Sequence, residues 1–226
     1  MTLCLVTDRR RLAGAGAPLA EARACLVAQA RFAAEAGVDL LQVRERDLEA
    51  ADLASVVRAV IAAVNGSRTL VLVNDRLDVA LACGAAGVHL RGDSLPVDAA
   101  RRIAPAGFLV GRSVHGLDEA RAVAGADYLI AGTVFPSRSK ESGSPCLGLD
   151  GLEAIVKSVA IPVLAIGGVT EELVAALARA GAAGCAAIGA FIGDDPDAPA
   201  PCRAMPLGGW VDRARQRFDA AKLALK

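Results

Sequence analysis

Three polar side chains alternate at the end of one apolar run. Gln42, Arg44 and Arg46 are separated by single residues, and side chains two positions apart project from the same side of an extended chain. Placing guanidinium groups at the end of a buried segment costs desolvation energy. We therefore interpret the three as functional residues; the purely structural alternative is an ion pair between Arg44 and Glu45 at the rim of a sheet.

Two carboxylates follow the next two apolar runs. Asp75 lies in the motif Asn74-Asp75-Arg76, and Asp93 precedes Ser94. Carboxylates from neighbouring strand ends could share Mg²⁺, which binds one or two carboxylates together with substrate phosphates. The alternative is that each aspartate caps the helix that follows it.

One of the two histidines of the chain stands at the end of a further apolar run, where Ser113 and His115 share a face. A histidine in this place predicts acid-base chemistry or a phosphate contact, although a lone histidine is more often structural. The other histidine, His89, lies deeper within its segment, and we interpret it as a packing residue.

A loop rich in glycine and serine follows the sixth apolar run and carries Ser137, Arg138, Ser139 and Lys140. Hydroxyl groups and cations on such a loop predict a clamp that closes over a diphosphate. The alternative is a solvated basic loop. If the clamp forms, Arg138 and Lys140 converge with Arg44 and Arg46 on one basic pocket.

Glycines end the last two apolar runs, as Gly167-Gly168 and as Gly189. Glycine lets backbone N–H groups approach a phosphate closely, and the loops after the seventh and eighth strands are the usual phosphate site of one common barrel fold. These glycines therefore predict a phosphate site.

The residues described above follow short apolar runs that alternate with segments of helical periodicity. Runs that are apolar on both faces are typical of parallel strands covered by helices. Eight such units predict an α/β fold, a single (β/α)₈ TIM barrel, with its chemistry at the carboxyl ends of the strands. The predicted strands are 3–7, 40–44, 70–74, 87–90, 108–111, 128–131, 163–166 and 185–188, and the predicted helices are 18–35, 48–64, 77–82, 96–103, 117–124, 149–159, 171–180 and 210–225.

Composition excludes several classes of function. The 25 basic residues balance the 25 acidic ones, which argues against nucleic acid or an anionic membrane as a partner. Aromatic residues make up 3% of the chain, too few for a base-stacking surface, and the most apolar stretch, 180–193, is shorter than the ~20 residues of a spanning helix. We expect one cytoplasmic domain over 1–226, with reduced cysteines and a proline-rich stretch at 194–209.

Taken in order, these motifs resemble the thiamine phosphate synthase family, which includes TenI-type relatives. The resemblance runs from about residue 3 to residue 193. It implies a barrel enzyme that joins hydroxymethylpyrimidine diphosphate to thiazole phosphate and releases diphosphate with Mg²⁺ and, by analogy alone, a homodimer. The motifs that carry it are Val6-Thr7-Asp8, Gln42-x-Arg44, Val73-Asn74-Asp75-Arg76, Gly87-Val88-His89-Leu90, Ser113-x-His115, Gly132-x-Val134-Phe135-Pro136-Ser137-x-Ser139-Lys140 and Ala165-Ile166-Gly167-Gly168.

The resemblance also implies roles for individual residues. Gln42, Arg44 and Asn74 would hold the pyrimidine diphosphate, and Asp75 would bind Mg²⁺. Contacts to diphosphate or thiazole would come from Ser113, Ser137, Ser139 and Lys140, and the thiazole phosphate would lie at Gly167, Gly168 and Gly189.

The sequence departs from the synthase pattern at three positions. Arg46 replaces a lysine, Gly189 replaces a serine, and Ser94 stands where a second metal-binding aspartate is expected, with Asp93 one residue earlier. The segment around His115 is closer to the TenI type, whose members include a metal-free aminothiazole tautomerase with the matching histidine as base. That tautomerase and a non-catalytic regulatory protein that binds thiazole phosphate are the two alternative hypotheses.

Overall fold

A computed structural model describes residues 1–137, 145–192 and 202–225 of the chain. Eight parallel strands close into a barrel in which each strand pairs with its sequence neighbours and the first pairs with the last. The predicted (β/α)₈ TIM barrel is therefore confirmed. The strands are β1 Thr2–Val6, β2 Leu40–Val43, β3 Leu70–Asn74, β4 Gly87–Leu90, β5 Leu109–Val114, β6 Tyr128–Gly132, β7 Val163–Ile166 and β8 Gly184–Ala187.

Helices follow the strands, and the first of them is absent from the predicted set. It begins where the Asp8 carboxylate accepts a hydrogen bond of 3.1 Å from the backbone N–H of Arg11, and its five residues are too few for helical periodicity to register. The helices are α1 Arg9–Ala13, α2 Leu19–Glu35, α3 Ala50–Val64, α4 Leu77–Cys83, α5 Val97–Ile103, α6 Leu117–Ala122, α7 Gly148–Ser158, α8 Val174–Arg179 and α9 Gly208–Leu223, with a 3₁₀ turn at Gly189–Phe191.

The strands bury both of their faces in two separate apolar clusters. Alternate side chains along each strand point into the barrel lumen or toward the helices. The lumen cluster contains Cys4, Val6, Leu72, Tyr128 and Ile130, while a larger cluster lies between the strands and the helices. This two-sided burial explains the near-continuous apolar runs of the sequence.

Strand β5 extends further than predicted, to Val114 rather than to residue 111. In the β5–β6 register, Ser113 pairs with Ile130, a lumen residue, so Ser113 also faces the lumen. The extension matters for the site because it places Ser113 on a strand instead of on a loop.

The end of the chain packs against its beginning. Only 202–209 of the predicted proline-rich stretch falls within the described residues, and there the Arg203 N–H donates to the Leu12 carbonyl at 2.9 Å. Helix α9 buries Val211, Ala214 and Phe218. Within the described ranges, no helix is both long and apolar enough to cross a membrane.

Candidate active site

A cavity of about 470 Å³ opens at the carboxyl ends of β1 to β4. Among the predicted site residues, Arg44, Arg46, Asn74 and Asp75 line it. Five arginines and four carboxylates contribute to the wall, so the predicted basic pocket is partly neutralised by acids of its own. The other lining residues are Asp8, Arg10, Glu45, Asp47, Leu48, Leu53, Arg76 and Arg91.

Arg44 lies half-buried in this wall. Among the described residues, its guanidinium makes no hydrogen bond or ion pair. Burial lowers the pKa of Arg44, and repulsion from Arg46 and Arg91 lowers it further, while Asp8 and Glu45 act in the opposite direction. An arginine held in this way gains from any anion that enters the cavity.

Glu45 does not form the rim ion pair with Arg44 that the sequence left open. Its buried carboxylate accepts hydrogen bonds from the Thr7 hydroxyl at 2.6 Å and from the backbone and side chain of Arg9, both at 3.1 Å. Burial nevertheless raises the pKa of Glu45. Because Thr7 also accepts from the Arg44 N–H at 2.9 Å, this network fixes the backbone that carries Arg44.

Gln42 does not line the cavity itself, but it contacts Asn74, which does. The Gln42 amide nitrogen donates to the Asn74 side-chain oxygen at 2.8 Å, and both side chains are buried. The Gln42 Oε1 atom is buried without a hydrogen-bond partner among the described residues. It is an acceptor that a ligand N–H could satisfy.

Asp75 turns its carboxylate toward the same cavity through an unusual backbone. Its φ is 68°, in the left-handed region that aspartate tolerates better than most residues, and its N–H donates to the His89 carbonyl at 2.9 Å. Within the described chain, Asp75 Oδ1 is buried without a partner. A buried, unsatisfied carboxylate oxygen beside a diphosphate-sized cavity fits Mg²⁺ bound by one carboxylate and substrate phosphates.

Asp93, the second predicted metal ligand, binds the guanidinium of Arg91. Asp93 is 72% exposed and accepts a hydrogen bond of 2.9 Å from Arg91, whose guanidinium also lies 3.8 Å from Asp75. A cation shared by the two aspartates would have to displace Arg91, so Asp93 as a ligand stays a prediction. Ser94, at the position expected for aspartate, has a buried hydroxyl without a described partner.

The imidazole of His115 is exposed and does not line the arginine cavity. Its Nδ1 lies 2.5 Å from the carbonyl oxygen of Gly132. A carbonyl can only accept, so Nδ1 carries the hydrogen and Nε2 keeps its lone pair. His115 therefore presents a free lone pair on Nε2, which a base needs. Once Nε2 has taken up a proton, it presents an N–H that can contact a phosphate.

Ser113 is connected to the barrel interior by His89, which the sequence suggested was a packing residue. His89 Nε2 lies 2.8 Å from the Ser113 hydroxyl, and His89 Nδ1 lies 3.1 Å from the Tyr128 hydroxyl. Ser113 is partly exposed and borders a neighbouring cavity of about 440 Å³. A buried hydrogen-bond chain thus ends at the mouth of the barrel.

Glycines shape the opposite side of the mouth, after β7. Gly167 and Gly168 have φ values of 101° and 62°. A Cβ atom on Gly167 would overlap Thr133, and one on Gly168 would overlap the Pro136 carbonyl. The two residues are therefore glycine for backbone reasons that hold with or without a phosphate.

The turn after β8 is held from outside the barrel. Gln29 on α2 is buried and donates to the Phe191 carbonyl at 2.9 Å, which fixes the 3₁₀ turn that Gly189 begins. Helical spacing conceals Gln29 in the sequence because it is one polar residue on an apolar face. A Cβ atom on Gly189 would lie 3.4 Å from the Arg11 guanidinium, so a cation is close to this turn.

The structure describes one residue of the predicted clamp, Ser137. Arg138, Ser139 and Lys140 lie outside the described residues. The arginines of the cavity that the sequence did not assign to the site are Arg10, Arg76 and Arg91. Arg91 had a signal, since it is two positions after His89 on a polar strand end.

Comparison with known proteins identifies the family. The family described as thiamine monophosphate synthase matches residues 3–191. A thiamine-phosphate synthase of Methanoregula boonei is 46% identical over 195 residues, which cover 85% of this chain and 86% of that protein. One of Anaeromyxobacter dehalogenans is 48% identical over 177 residues, which cover 77% and 79%.

Solved structures agree with the sequence comparison. A thiamine phosphate pyrophosphorylase from Pyrococcus furiosus superposes with a TM-score of 0.75 at 30% identity, covering 97% of this chain and 96% of that one. A 3-hexulose-6-phosphate synthase superposes with a TM-score of 0.67 at 22% identity and shows a shared fold. The family match and the high identity of these relatives show that the chain belongs to the thiamine monophosphate synthase family.

Proposed function

We propose that the arginine cavity binds the diphosphate of hydroxymethylpyrimidine diphosphate, so that this barrel forms thiamine phosphate in its mouth. Membership of the family and the names of the relatives assign the chain thiamine-phosphate synthase activity. The observation that carries the proposal for the site is Arg44, a half-buried cation without a described partner, repelled by Arg46 and Arg91.

The reaction needs charge stabilisation and no nucleophilic side chain. The bond between the pyrimidine methylene and the diphosphate oxygen breaks, and the electron pair leaves with diphosphate. The thiazole nitrogen then attacks the methylene cation with its lone pair and forms the new C–N bond. Arg44, Arg46 and Arg91 neutralise the leaving diphosphate, which is the dominant form of catalysis for such a step.

The remaining contacts divide between the two substrates. Gln42 Oε1, an acceptor without a described partner, takes an N–H of the pyrimidine, and Asn74 holds Gln42 in place. The glycine turns after β7 and β8 receive the thiazole phosphate. Ser113, Ser137, Ser139 and Lys140 complete the contacts to diphosphate or thiazole, and the last two of these are proposed from sequence alone.

Asp75 is the residue we assign to Mg²⁺. When bound, the ion supplies positive charge to the diphosphate oxygens. Asp75 offers one buried carboxylate oxygen for this purpose. The described residues hold no cluster of three or more histidine, cysteine, aspartate or glutamate side chains that could bind a metal, so a metal in this part of the chain would depend on substrate oxygens.

His115 supports a second candidate, the thiazole tautomerase reaction. Its Nε2 lone pair, set by the hydrogen bond from Nδ1 to Gly132, suits a base that removes a proton from the thiazole carboxylate phosphate and returns it elsewhere on the ring. This reaction needs neither Asp75 nor Mg²⁺, which gives it a distinct experimental signature.

The test is product formation by the purified chain. With both phosphorylated substrates and Mg²⁺, we expect thiamine phosphate and diphosphate in equal amounts, and Asp75→Ala to remove most of the activity. Absence of product at high enzyme concentration would overturn the synthase proposal. Turnover of the thiazole carboxylate phosphate without metal, abolished by His115→Gln, would establish the second candidate instead.

A further inference from the structure

Three side chains from three strands form a hydrogen-bond chain from the lumen to the mouth. Tyr128 on β6 contacts His89 on β4 at 3.1 Å, and His89 contacts Ser113 on β5 at 2.8 Å. Tyr128 and His89 are 6% and 2% exposed. Gly111 makes room for the tyrosine, because a Cβ atom there would overlap the Tyr128 ring.

The hydrogens in this chain have one arrangement that satisfies the buried groups. The His89 ring is 2% exposed and, among the described residues, contacts two hydroxyls and no carboxylate. A ring in these surroundings is neutral, with one donor nitrogen and one acceptor nitrogen. Among the described residues, the Tyr128 hydroxyl has no hydrogen-bond partner except His89 Nδ1. If Nδ1 were the donor, the phenol hydrogen would be buried without an acceptor, which is costly.

Tyr128 therefore donates to Nδ1, and the Nε2–H of His89 donates to Ser113. The Ser113 oxygen is an acceptor in that bond, which leaves its own hydrogen available to another group. A hydroxyl in this state is a donor toward anionic oxygen.

We propose that Tyr128 and His89 are positioning residues that hold Ser113 as a hydrogen-bond donor toward a phosphate oxygen of the substrate. This inference rests on the proposed function for the identity of the substrate, but not for the direction of the hydrogen bonds. If Nδ1 of His89 carried the hydrogen, the hydrogen bonds would run in the opposite direction. Ser113 would then donate to His89 and have no hydrogen for the substrate.

The tautomer can be measured without any assay of activity. The chain contains two histidines, so ¹⁵N–¹H correlation of the ring nitrogens gives two sets of signals, and His115→Gln identifies the remaining one as His89. We expect hydrogen on Nε2 of His89 and on Nδ1 of His115. Hydrogen on Nδ1 of His89 would overturn the proposal, whatever the enzyme does.

A double-mutant cycle tests whether His89 acts on substrate binding through Ser113. His89→Met removes the donor and keeps the approximate shape, and we expect KM for the pyrimidine diphosphate to rise roughly 10- to 100-fold, as for loss of a hydrogen bond to a charged group. His89→Gln, with an amide N–H near the position of Nε2, should recover most of that loss. Ser113→Ala should cost as much as His89→Met, and combining them should add little.

The outcomes separate the possible failures. Additive effects of His89→Met and Ser113→Ala would overturn the positioning role, because His89 would then act independently of Ser113. A wild-type chain that makes no thiamine phosphate would overturn the proposed function while the ring-nitrogen spectrum still decides the tautomer. If His89→Met does not fold, the spectrum of the wild-type chain and the effect of His89→Gln remain decisive.

Discussion

The two halves of the barrel mouth are built from different materials. After β1 to β4, the wall is made of charged side chains, with five arginines and four carboxylates around one cavity. After β7 and β8, the described chain presents glycine-rich turns whose shape is set by backbone contacts, as at Gly168. Side-chain charge is adjustable by substitution, whereas a backbone cradle fails as soon as a Cβ atom is added.

The difference matches the proposed division of substrates. A leaving diphosphate gains negative charge in the transition state, and preorganised cations stabilise that change. The phosphate of the thiazole keeps its charge throughout, so it needs binding and no extra stabilisation. The charged half should therefore control kcat and the glycine half should control KM for thiazole phosphate.

Removing Arg44 should have the largest effect and should separate the two halves most clearly. We expect Arg44→Met to lower kcat/KM for the pyrimidine diphosphate about 100- to 1000-fold, the usual cost of truncating one member of a buried charge pair, with KM for thiazole phosphate unchanged. The free energy of unfolding should not fall, because the half-buried cation that is removed has no ion-pair partner among the described residues. Steady-state kinetics and urea unfolding measure the two quantities.

The control for this experiment is Arg31→Met, an exposed arginine on α2. It should alter neither quantity. Equal loss of affinity for both substrates in Arg44→Met would contradict the division of the mouth into two halves.

Substitution of Gly168 should affect the other half. Alanine at φ 62° costs about 1–2 kcal/mol of backbone strain, and its Cβ would overlap the Pro136 carbonyl. We expect KM for thiazole phosphate to rise about 10- to 100-fold in Gly168→Ala, as the turn moves, together with a lower free energy of unfolding. The kinetic constants for the pyrimidine diphosphate should change little.

Gly66 provides a matched control for strain without overlap. Its φ is 81°, and no heavy atom lies within 4 Å of its Cβ position. Gly66→Ala should lose the same 1–2 kcal/mol of stability and keep wild-type KM values. A similar KM in the two alanine variants would show that the Gly168 turn is not part of the phosphate site.

The sequence predicted the fold and the residues of the charged half better than it predicted side-chain contacts between distant residues. Eight apolar runs and the residues that follow them identified the barrel and placed Arg44, Arg46, Asn74 and Asp75 around one cavity, because the carboxyl ends of parallel strands meet by construction. The roles expected for these side chains come from the resemblance to the family and stay predictions.

Contacts between residues far apart in the sequence could not be predicted from it. His89 and Tyr128 are 39 positions apart, and each alone looks like a packing residue. Glu45 looked like a partner for Arg44, and its binding to Thr7 and Arg9 depends on the short helix α1, which has no periodic signal. Pairwise geometry of this kind depends on strand register, which a single strand does not reveal.

His89 lies on β4, on the charged side of the barrel, and its ionisation should affect stability in acid. Its pKa is about 3 in the folded chain against about 6.5 in an unfolded one. Below pH 6.5 the unfolded chain therefore binds a proton that the folded chain does not, and stability present above this pH is lost as the pH falls toward 3. From pH 7 to pH 5 we expect a loss of about 2 kcal/mol from this residue.

Urea unfolding at several pH values measures the free energy of unfolding of the wild type and of His89→Gln, and the difference between the two is compared across pH. Taking the difference removes the contribution of Glu45, whose raised pKa favours the folded state in acid and so has the opposite sign. Parallel stability profiles for the two chains would show that His89 is protonated equally in both states.

Asparagine substitutions at Asp75 and Asp93 are the mildest changes that we propose, and they decide how the charged half binds its metal. Asp75 has a buried oxygen without a described partner, whereas Asp93 is exposed and bound to Arg91. We expect Asp75→Asn to raise the Mg²⁺ concentration for half-maximal activity about tenfold, as for loss of one charged ligand, and Asp93→Asn to raise it no more than about twofold, as for a surface ion pair. Titration of activity with Mg²⁺ measures both. Equal effects of the two substitutions would mean that Arg91 moves aside and that Asp93 replaces the aspartate absent at Ser94.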